Sequence, residues 1–251
     1  MIMNPVGRDA RASVGDLMAR VIGSVAMAAL VAQVGPAATW LPPLRRRVLP
    51  PGATDGVALT FDDGPHPLGT PAVLDALDAL GWQATFFVLG GAARRYPEIV
   101  KETAARGHEV AVHGDEHRYL LGRAPRATHD DLRRATDTVG DIVGTAPRWW
   151  RPPYGVLTGP SLLAARAIGV RPVLWSSWGR DWRPDATGRS VVDDLYAGGG
   201  GRVAGGTLLL HDSDITSGPD SWRATVAALP LLAARLDIDR LAVRTLGEHV
   251  A

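Results

Sequence analysis

The stretch VALTFDDGPH, residues 57–66, decides the fold because it joins a buried strand to a charged loop. Its first five residues are mainly apolar and predict a strand in the core. Asp62 and Asp63 follow at the strand's end, and a Gly-Pro pair turns the chain there. Adjacent carboxylates repel each other and are rarely buried without a partner. The stretch therefore predicts a functional site at the end of a core strand.

Outward from this stretch, strand-like and helix-like segments alternate along most of the chain. The strand-like segments are VALTF (57–61), ATFFVLG (84–90), EVAVH (109–113), RWWRPP (148–153), RPVLWSS (171–177), TLLLHD (207–212) and LAVRTL (241–246). The helix-like segments are residues 71–81, 96–107, 127–144, 161–169, 190–199 and 222–236. We expect Thr128 to cap the helix of residues 127–144 and Pro230 to break the last helix.

This alternation predicts an α/β fold with a parallel sheet. About seven parallel strands with intervening helices favour a closed or nearly closed (β/α) barrel, whose active site lies at the carboxyl ends of the strands. The chain of 251 residues is long enough for one such domain.

The composition excludes several classes of function. A formal net charge of +1 gives no electrostatic basis for binding nucleic acid, so no nucleic-acid partner is expected. The chain has no cysteine, which excludes disulfides, thiolate nucleophiles and cysteine-ligated zinc.

The amino-terminal region places three arginines, Arg8, Arg11 and Arg20, before the apolar run VIGSVAMAALVAQV, residues 21–34. The run has the length of a signal-peptide core, and extended through GPAATWL it is long enough to cross a membrane. A helix packed on the domain is the third interpretation. We expect a secreted or membrane-anchored, extracytoplasmic protein, associated with the membrane through residues 17–41; a cytoplasmic protein is the alternative.

The Pro- and Arg-rich segment LPPLRRRVLPPGATDG, residues 41–56, predicts a linker into the main domain. We therefore divide the chain into an apolar helix with a basic linker, residues 1–47, and a main domain, residues 48–251. The sequence does not indicate an oligomeric state.

Ionisable residues gather where the predicted strands end. They are Asp62 and Asp63, His113 and His117, Arg151, Asp181, and His211 with Asp212. The runs before them are apolar, which is typical of a site built on one rim of a barrel rather than of a solvated face.

His113 and His117 have the spacing His-x-x-x-His, which brings two imidazoles to one side of a helical turn. Two imidazoles and one carboxylate make a three-ligand site for zinc or a similar divalent ion. Asp115, Glu116 and His108 are rival ligands, although His108 precedes its strand and is expected at the opposite end of the barrel. A pair of surface histidines is the simpler alternative.

His211 and Arg151 have two interpretations each. His211 can serve as a proton donor, because imidazole titrates near neutral pH, or it is a core histidine with satisfied hydrogen bonds. Arg151 can hold a carboxylate in a fixed bidentate geometry, or it forms a surface ion pair.

Five motifs in order resemble the polysaccharide deacetylases, the carbohydrate esterases of family 4. They are TFDDGP (60–65), the histidine pair in HGDEH (113–117), RPPYG (151–155), DW (181–182) and LLLHD (208–212). The resemblance covers about residues 57–243, and each motif alone is a weak signal. It implies a distorted, incomplete (β/α) barrel and makes residues 48–251 the catalytic domain.

The resemblance also implies roles for the site residues. A divalent metal, often zinc in the family, would be held by Asp63, His113 and His117. Asp62 would be the catalytic base, oriented by Arg151, and His211 the catalytic acid, oriented by Asp181. The backbone N–H of Tyr154 would hold the oxyanion, and Trp182 and Leu209 would line the pocket for the acetyl methyl group.

Two positions depart from the family pattern. Gly114 stands where Ser or Thr usually follows the first histidine, and Trp178 stands where the family often has a further aspartate. Neither change removes a ligand, the base or the acid. The more apolar rim at Trp178 is expected to influence substrate choice.

The sequence therefore predicts a metal-dependent hydrolase that removes acetyl groups from N-acetylated sugars, such as those of chitin oligomers or peptidoglycan. An O-acetyl esterase acting on a glycan such as xylan is the second hypothesis, and a non-catalytic glycan-binding relative is the third. All three predict an acetylated glycan as the partner.

Overall fold

The structure is a computed structural model that describes residues 9–39, 42–198, 200 and 203–251. Its eight strands are β1 (Gly56–Asp62), β2 (Thr85–Val88), β3 (Glu109–Val112), β4 (Trp149–Trp150), β5 (Arg171–Pro172), β6 (Ser177–Trp178), β7 (Thr207–His211) and β8 (Ala242–Arg244). The longer helices are α1 (Asp9–Val34), α3 (Gly69–Leu80), α5 (Pro97–Ala105), α6 (Pro125–Val143), α7 (Gly159–Ile168), α8 (Gly188–Gly198) and α9 (Trp222–Asp239). Three short helices are α2 (Pro42–Val48), α4 (Gly90–Arg95) and α10 (Leu246–His249).

The strands form one parallel sheet with β1 near its centre. The order is β5-β4-β3-β2-β1-β7-β6, and β8 pairs with the first residues of β1. Every recorded pair is parallel, as strands separated by helices require. The carboxyl ends of β1, β3 and β7 therefore meet at one rim.

The segment predicted as one strand, residues 171–177, is two short strands on opposite edges of the sheet. Arg171 and Pro172 pair with β4, whereas Ser177 and Trp178 pair with β7. The chain thus crosses from one edge to the other without closing the hydrogen-bonded sheet. This confirms the incomplete (β/α) barrel of about seven strands; the described part of the chain forms eight, because this segment contributes two.

Alternate residues of β1 face different parts of the core, as strand geometry requires. Leu59 and Phe61 pack against the outer helices, and the Phe61 ring stacks on Phe86 with centroids 4.9 Å apart. Ala58 belongs to a second cluster with Phe87 and other residues inside the barrel. Thr60 and Asp62 lie on the same side of β1 as Ala58, so the strand carries Asp62 to the mouth of the barrel.

Two expectations about the helices are wrong: the cap at Thr128 and the break at Pro230. α6 begins at Pro125 after Ala124, and Thr128 donates its hydroxyl to the Ala124 carbonyl oxygen at 3.2 Å from inside the helix. Proline at the first helical turn explains this start, because its missing N–H is not needed there. α9 continues through Pro230, since the flanking buried residues Leu229 and Leu232 hold both halves against the core.

The segment predicted as a linker contains the helix α2. Val48, at its end, is buried in the core, and its carbonyl oxygen accepts a 2.7 Å hydrogen bond from the Leu174 amide. The domain boundary at residue 47 stays a prediction.

The apolar part of α1 is exposed. The window Leu17–Ala37 has 21 residues and is long and apolar enough to cross a membrane, and none of it is buried against the rest of the protein. Ile22 and Val25, for example, are about two-thirds exposed (66% and 64%). The helix approaches the barrel near its end, where the Ala32 backbone passes close to Gly159.

Candidate active site

A pocket of about 260 Å³ opens at the carboxyl ends of the strands. Its polar wall is formed by Asp62, Asp63, His113, His117 and His211. Its apolar wall includes Tyr154, Trp182 and Leu209. Arg151 and Asp181 lie directly behind this wall and contact Asp62 and His211. The residues that the sequence analysis selected thus come together around one cavity.

Asp62 is held from inside the barrel by Arg151. The Arg151 guanidinium is fully buried, and its Nη1 donates to Asp62 Oδ1 at 2.7 Å and to Thr60 Oγ1 at 2.8 Å. The Thr60 hydroxyl donates in turn to the Leu208 carbonyl oxygen of β7 at 2.6 Å. A buried charge pair with this many hydrogen bonds fixes the orientation of the carboxylate. Arg151 is therefore not a surface ion-pair residue. It holds Asp62 through Nη1 alone, so the expected bidentate geometry is wrong.

Asp63 reaches the same pocket through an unusual backbone conformation. Its φ is 76°, in the left-handed region that non-glycine residues rarely adopt. Strict strand alternation places neighbouring side chains on opposite faces. The left-handed turn after β1 instead brings Asp63 beside Asp62, and its Oδ1 lies 3.3 Å from His113 Nε2 and 3.5 Å from His117 Nε2.

These three residues fit a divalent metal. Their ligand atoms lie within 4.8 Å of one another, and the buried Asp63 Oδ1 has no hydrogen-bond partner. His113 Nδ1 lies 2.8 Å from the Arg151 carbonyl oxygen, which can only accept, so Nδ1 carries the proton and Nε2 is free to bind a cation.

The electrostatics favour a cation at the same point. Burial and the neighbouring His113 lower the pKa of His117, which keeps that imidazole neutral and able to ligate. Burial disfavours charged His113, but Asp62 and Asp63 outweigh it and raise the pKa of His113. Burial likewise opposes ionisation of Asp63, but the close contact with His113, and the neighbouring His211 and His117, hold its pKa far below the ordinary value.

The rival ligands are engaged elsewhere. Asp115 is bound by Arg94 at 2.6 Å and by Arg134 at 3.2 Å, and Glu116 is bound by Arg118. His108 is buried at the opposite end of the strands, where its Nδ1 accepts from the Ala84 amide at 3.2 Å.

His211 faces the metal ligands across the pocket. Its Nδ1 lies 2.8 Å from Asp181 Oδ1, and its backbone amide donates to Asp181 Oδ2 at 2.6 Å. Thr225 donates a further 2.6 Å hydrogen bond to Asp181. Burial opposes protonation of His211, but the charge and hydrogen bond of Asp181 outweigh it and raise the pKa of His211 to about 10. His211 is therefore an imidazolium at neutral pH, with Nε2 available as a donor.

Aromatic rings form the rest of the pocket wall. Trp182 meets the His211 ring edge-to-face at 5.4 Å, and Leu209 lies beside it on β7. Tyr154 has a φ of 58° and packs its ring edge-to-face on His117 at 4.4 Å. The side chain of Tyr154 is exposed at the mouth of the pocket.

Three threonines that orient site residues were not selected from the sequence. Thr60 binds Arg151, Thr225 binds Asp181, and Thr216 donates its hydroxyl to Asp63 Oδ2. Thr60 lies inside the motif TFDDGP, so the sequence could have indicated that it belongs to the site. Thr216 and Thr225 lie in a loop and a helix whose sequences carry no such pattern.

Comparisons with known proteins identify the family of the chain. Residues 51–173 match the family model for polysaccharide deacetylase. The chain is 36% identical over 203 residues to a chitooligosaccharide deacetylase of Bradyrhizobium sp., covering 76% of this chain and 91% of that protein. It is 33% identical over 183 residues to a peptidoglycan-N-acetylglucosamine deacetylase of Bacillus cereus, covering 72% of this chain and 81% of that protein.

A solved structure has the same architecture. The crystal structure of the Bc1960 peptidoglycan N-acetylglucosamine deacetylase superposes with a TM-score of 0.72 and 28% identity, covering 80% of this chain and 91% of that chain. The fold is the incomplete (β/α) barrel of the carbohydrate esterases of family 4. The chain belongs to the polysaccharide deacetylase family.

Proposed function

We propose that the protein is a metal-dependent hydrolase that removes acetyl groups from the N-acetylated sugars of an oligosaccharide or polysaccharide. One observation carries the proposal: a held carboxylate, Asp62, and a protonated imidazole, His211, face each other across a cavity beside a three-residue metal site. Chitooligosaccharide and peptidoglycan N-acetylglucosamine deacetylases among the relatives support the substrate class.

Asp63, His113 and His117 would hold the metal, and zinc suits their two nitrogens and one oxygen. A bound divalent ion would lower the pKa of a water molecule and polarise the acetyl carbonyl.

Asp62 takes a proton from the attacking water in this proposal. Its Oδ1 is occupied by Arg151, which leaves Oδ2, on the side of His113, to accept the proton. The water oxygen bonds to the acetyl carbon, and the carbonyl oxygen becomes an oxyanion. The backbone N–H of Tyr154, whose ring is at the pocket mouth, would donate to that oxyanion.

His211 completes the reaction as the acid. Its Nε2 proton passes to the sugar nitrogen as the carbon–nitrogen bond breaks, which releases acetate and a free amine. Asp181 stabilises the imidazolium before the transfer and orients the ring. Trp182 and Leu209 provide the apolar surface for the acetyl methyl group.

Two alternatives remain to be tested. The same side chains can hydrolyse an O-acetyl ester, and a glycan-binding relative without catalytic activity can have the same pocket. Acetate release therefore has to be measured on N-acetylglucosamine oligomers, peptidoglycan and acetylated xylan, together with metal content. We expect release from the N-acetylated substrates and its loss after chelation. Release from xylan alone would identify an O-acetyl esterase, and no release from any substrate despite bound metal would contradict the enzyme.

We also propose that α1 anchors the protein to a membrane, with the barrel outside the cytoplasm. The exposed apolar surface of Leu17–Ala37 supports this, because side chains such as Ile22 would otherwise contact water.

Membrane fractionation tests the anchor. We expect the whole chain to sediment with membranes until detergent is added, and a chain starting at residue 39 to stay in solution and release acetate. Loss of cooperative unfolding in that shorter chain would instead show that α1 is a packed helix.

A further inference from the structure

An open apolar groove lies where α1 meets the barrel. Its volume is about 630 Å³, and one of its walls is the last part of α1, through Ala29 and Ala32. The opposite wall is formed by the starts of α6 and α7, through Pro125 and Leu163 among others. A Cβ at Gly159 would overlap the Ala32 carbonyl oxygen, so a glycine at this position permits the close approach of α1 to α7. The groove therefore joins the apolar surface of α1 to the surface of the barrel.

The apolar surface continues from the groove along α7. Pro160, Leu163 and Ala167 line the groove and are spaced by three and four residues, which places them on one face of the helix. Leu163 is 70% exposed, and Ala167 is exposed as well. An apolar stripe on a barrel helix, next to a second exposed apolar helix, forms a contiguous patch of the kind that marks an interaction site.

Arginines lie at the edges of this stripe. Arg166 is exposed beside Ala167 on α7. The side chain of Arg126 on α6 is 94% exposed and pairs with Asp130 only at 3.7 Å. Long basic side chains around an apolar face are typical of surfaces that lie in a lipid headgroup layer, because the stems contact the apolar region while the charges reach the phosphates.

The length of α1 sets the depth of the groove. The apolar window Leu17–Ala37 has 21 residues, which at about 1.5 Å per residue just covers a hydrocarbon core of about 30 Å. Ala29 and Ala32 precede the end of this window by eight and five residues, or about 12 and 8 Å along the helix. An α1 that spans the membrane therefore brings the part of the barrel beside these residues to the level of the headgroups.

A span that ends before the groove does not avoid this contact. Twenty residues ending at Ala28 begin at Asp9, so such a span would take in Asp9, Arg11 and Asp16. Ionisable residues inside a membrane are costly and are rarely placed there without a partner. The apolar window thus fits the bilayer only when its last two turns, which carry the groove, are included.

We propose that the face of α7 formed by Pro160, Leu163 and Ala167 lies in the lipid headgroup layer beside α1, with acyl chains filling the groove. The proposal rests on the proposed membrane anchor and deepens it, because the barrel then has a fixed orientation instead of hanging from a tether.

The contact also positions the active site. α6 follows β3 and α7 follows β4, so both helices begin at the carboxyl ends of the strands, where the pocket opens. Tyr154, at the pocket mouth, precedes the start of α7 at Gly159 by five residues. The pocket is therefore held close to the surface of the bilayer.

Fluorescent labelling of the whole chain in lipid vesicles tests the contact. The chain has no cysteine, so Leu163→Cys supplies a single attachment point for a polarity-sensitive dye. Ile238→Cys is the matched control, because Ile238 is 76% exposed near the end of α9 and is absent from the groove. In vesicles of phosphatidylcholine and phosphatidylglycerol, we expect lipid-borne nitroxides to quench the dye at position 163, with a blue shift, and to leave the dye at position 238 unchanged.

A second pair of variants tests whether the apolar stripe itself makes the contact. The dye is placed at Ala167→Cys, one turn from Leu163. Leu163→Glu should abolish the lipid quenching of this dye, because a carboxylate on the stripe has to be kept in water. Ile238→Glu should leave the quenching intact, and both variants should still associate with the vesicles through α1.

Equal, unquenched dyes at positions 163 and 238 in vesicles that carry the protein would overturn the contact and leave the anchor standing. A dye at position 163 that is shielded from iodide in solution but not quenched by lipid would also overturn it, because a second copy of the chain would then cover the face. Failure of the whole chain to associate with vesicles would remove the anchor and the contact together. Acetate release is measured separately, so none of these outcomes is confused with failure of the proposed hydrolase.

Discussion

Arg151 determines the geometry of the base. Its Nη1 donates hydrogen bonds to both Thr60 and Asp62, and the Thr60 hydroxyl donates to the Leu208 carbonyl oxygen. The Asp62 carboxylate is therefore linked through hydrogen bonds to β7. The guanidinium also lies 4.0 Å from the Phe87 ring centre inside the barrel. A lysine preserves the charge but lacks the second nitrogen, Nη2, which donates to the Leu174 carbonyl oxygen at 3.4 Å, and the planar group that packs on the Phe87 ring.

Arg151→Lys is therefore expected to lower kcat by about 100-fold, because misplacing a reacting group by about 1 Å costs that much. The measurement is steady-state acetate release. Arg94→Lys is the matched control, since Arg94 pairs with the buried Asp115 outside the pocket. A similar loss of kcat in both variants would show that Arg151 acts only through stability.

The pair His211–Asp181 determines how activity depends on pH. The pKa of His211 is raised to about 10, so the acid stays protonated through neutral pH. A raised histidine pKa stabilises the fold fully below the ordinary value near 6.5, and this stabilisation is lost as the pH rises through the folded value.

Asp181→Asn is expected to move the alkaline limb of the kcat profile to lower pH, because it removes the main charge that raises the pKa of His211. The pH dependence of unfolding should flatten on the alkaline side as well. Thr225→Val, which keeps the Asp181 charge but removes one hydrogen bond, should shift the limb less. An unmoved limb in Asp181→Asn would assign the acid to another group.

At the scale of elements, α9 shows how tertiary packing overrides a local signal. Pro230 cannot donate a backbone hydrogen bond, and its ring normally breaks or kinks a helix. The helix nevertheless runs from Trp222 to Asp239, with buried leucines on both sides of the proline and Pro230 itself exposed. The helix is thus continuous at a local energetic cost.

Pro230→Ala is expected to raise the free energy of unfolding by about 1–2 kcal/mol. Alanine restores a helical hydrogen bond and has a higher helix propensity. Part of this gain is lost because the unfolded chain is more flexible without the proline. Chemical denaturation measures the change. Pro230→Gly should gain about 1 kcal/mol less, because glycine is a poor helix former. Destabilisation by the alanine would mean that the proline ring itself packs on the fold.

The split of residues 171–177 into β5 and β6 is a second element-scale difference from the sequence expectation. The local pattern is that of one strand, but its two ends pair with β4 and β7, which are far apart along the chain. Such pairing depends on the whole sheet and cannot be read from local periodicity. The same crossing carries Trp175 to the mouth of the barrel.

At the scale of the whole molecule, repeated strand–helix alternation was sufficient to predict the barrel and the rim on which the site lies. The five motifs identified the residues around the pocket because each lies at the carboxyl end of a strand or just after it. The left-handed conformation of Asp63 was not predictable, since nothing in an aspartate's identity requires it. Thr216 was missed because it lies in a loop that only the folded barrel brings to Asp63.

The central claim is that the adjacent acids Asp62 and Asp63 have different roles. It is tested most directly by measuring bound metal and turnover in Asp62→Asn and Asp63→Asn, which keep the side-chain shape. Asp63→Asn should lose the metal, because a neutral amide replaces the anionic ligand. Asp62→Asn should keep the metal and lose about 10²- to 10⁴-fold in turnover, the usual contribution of a general base. Equal loss of metal in both variants would contradict the division of roles.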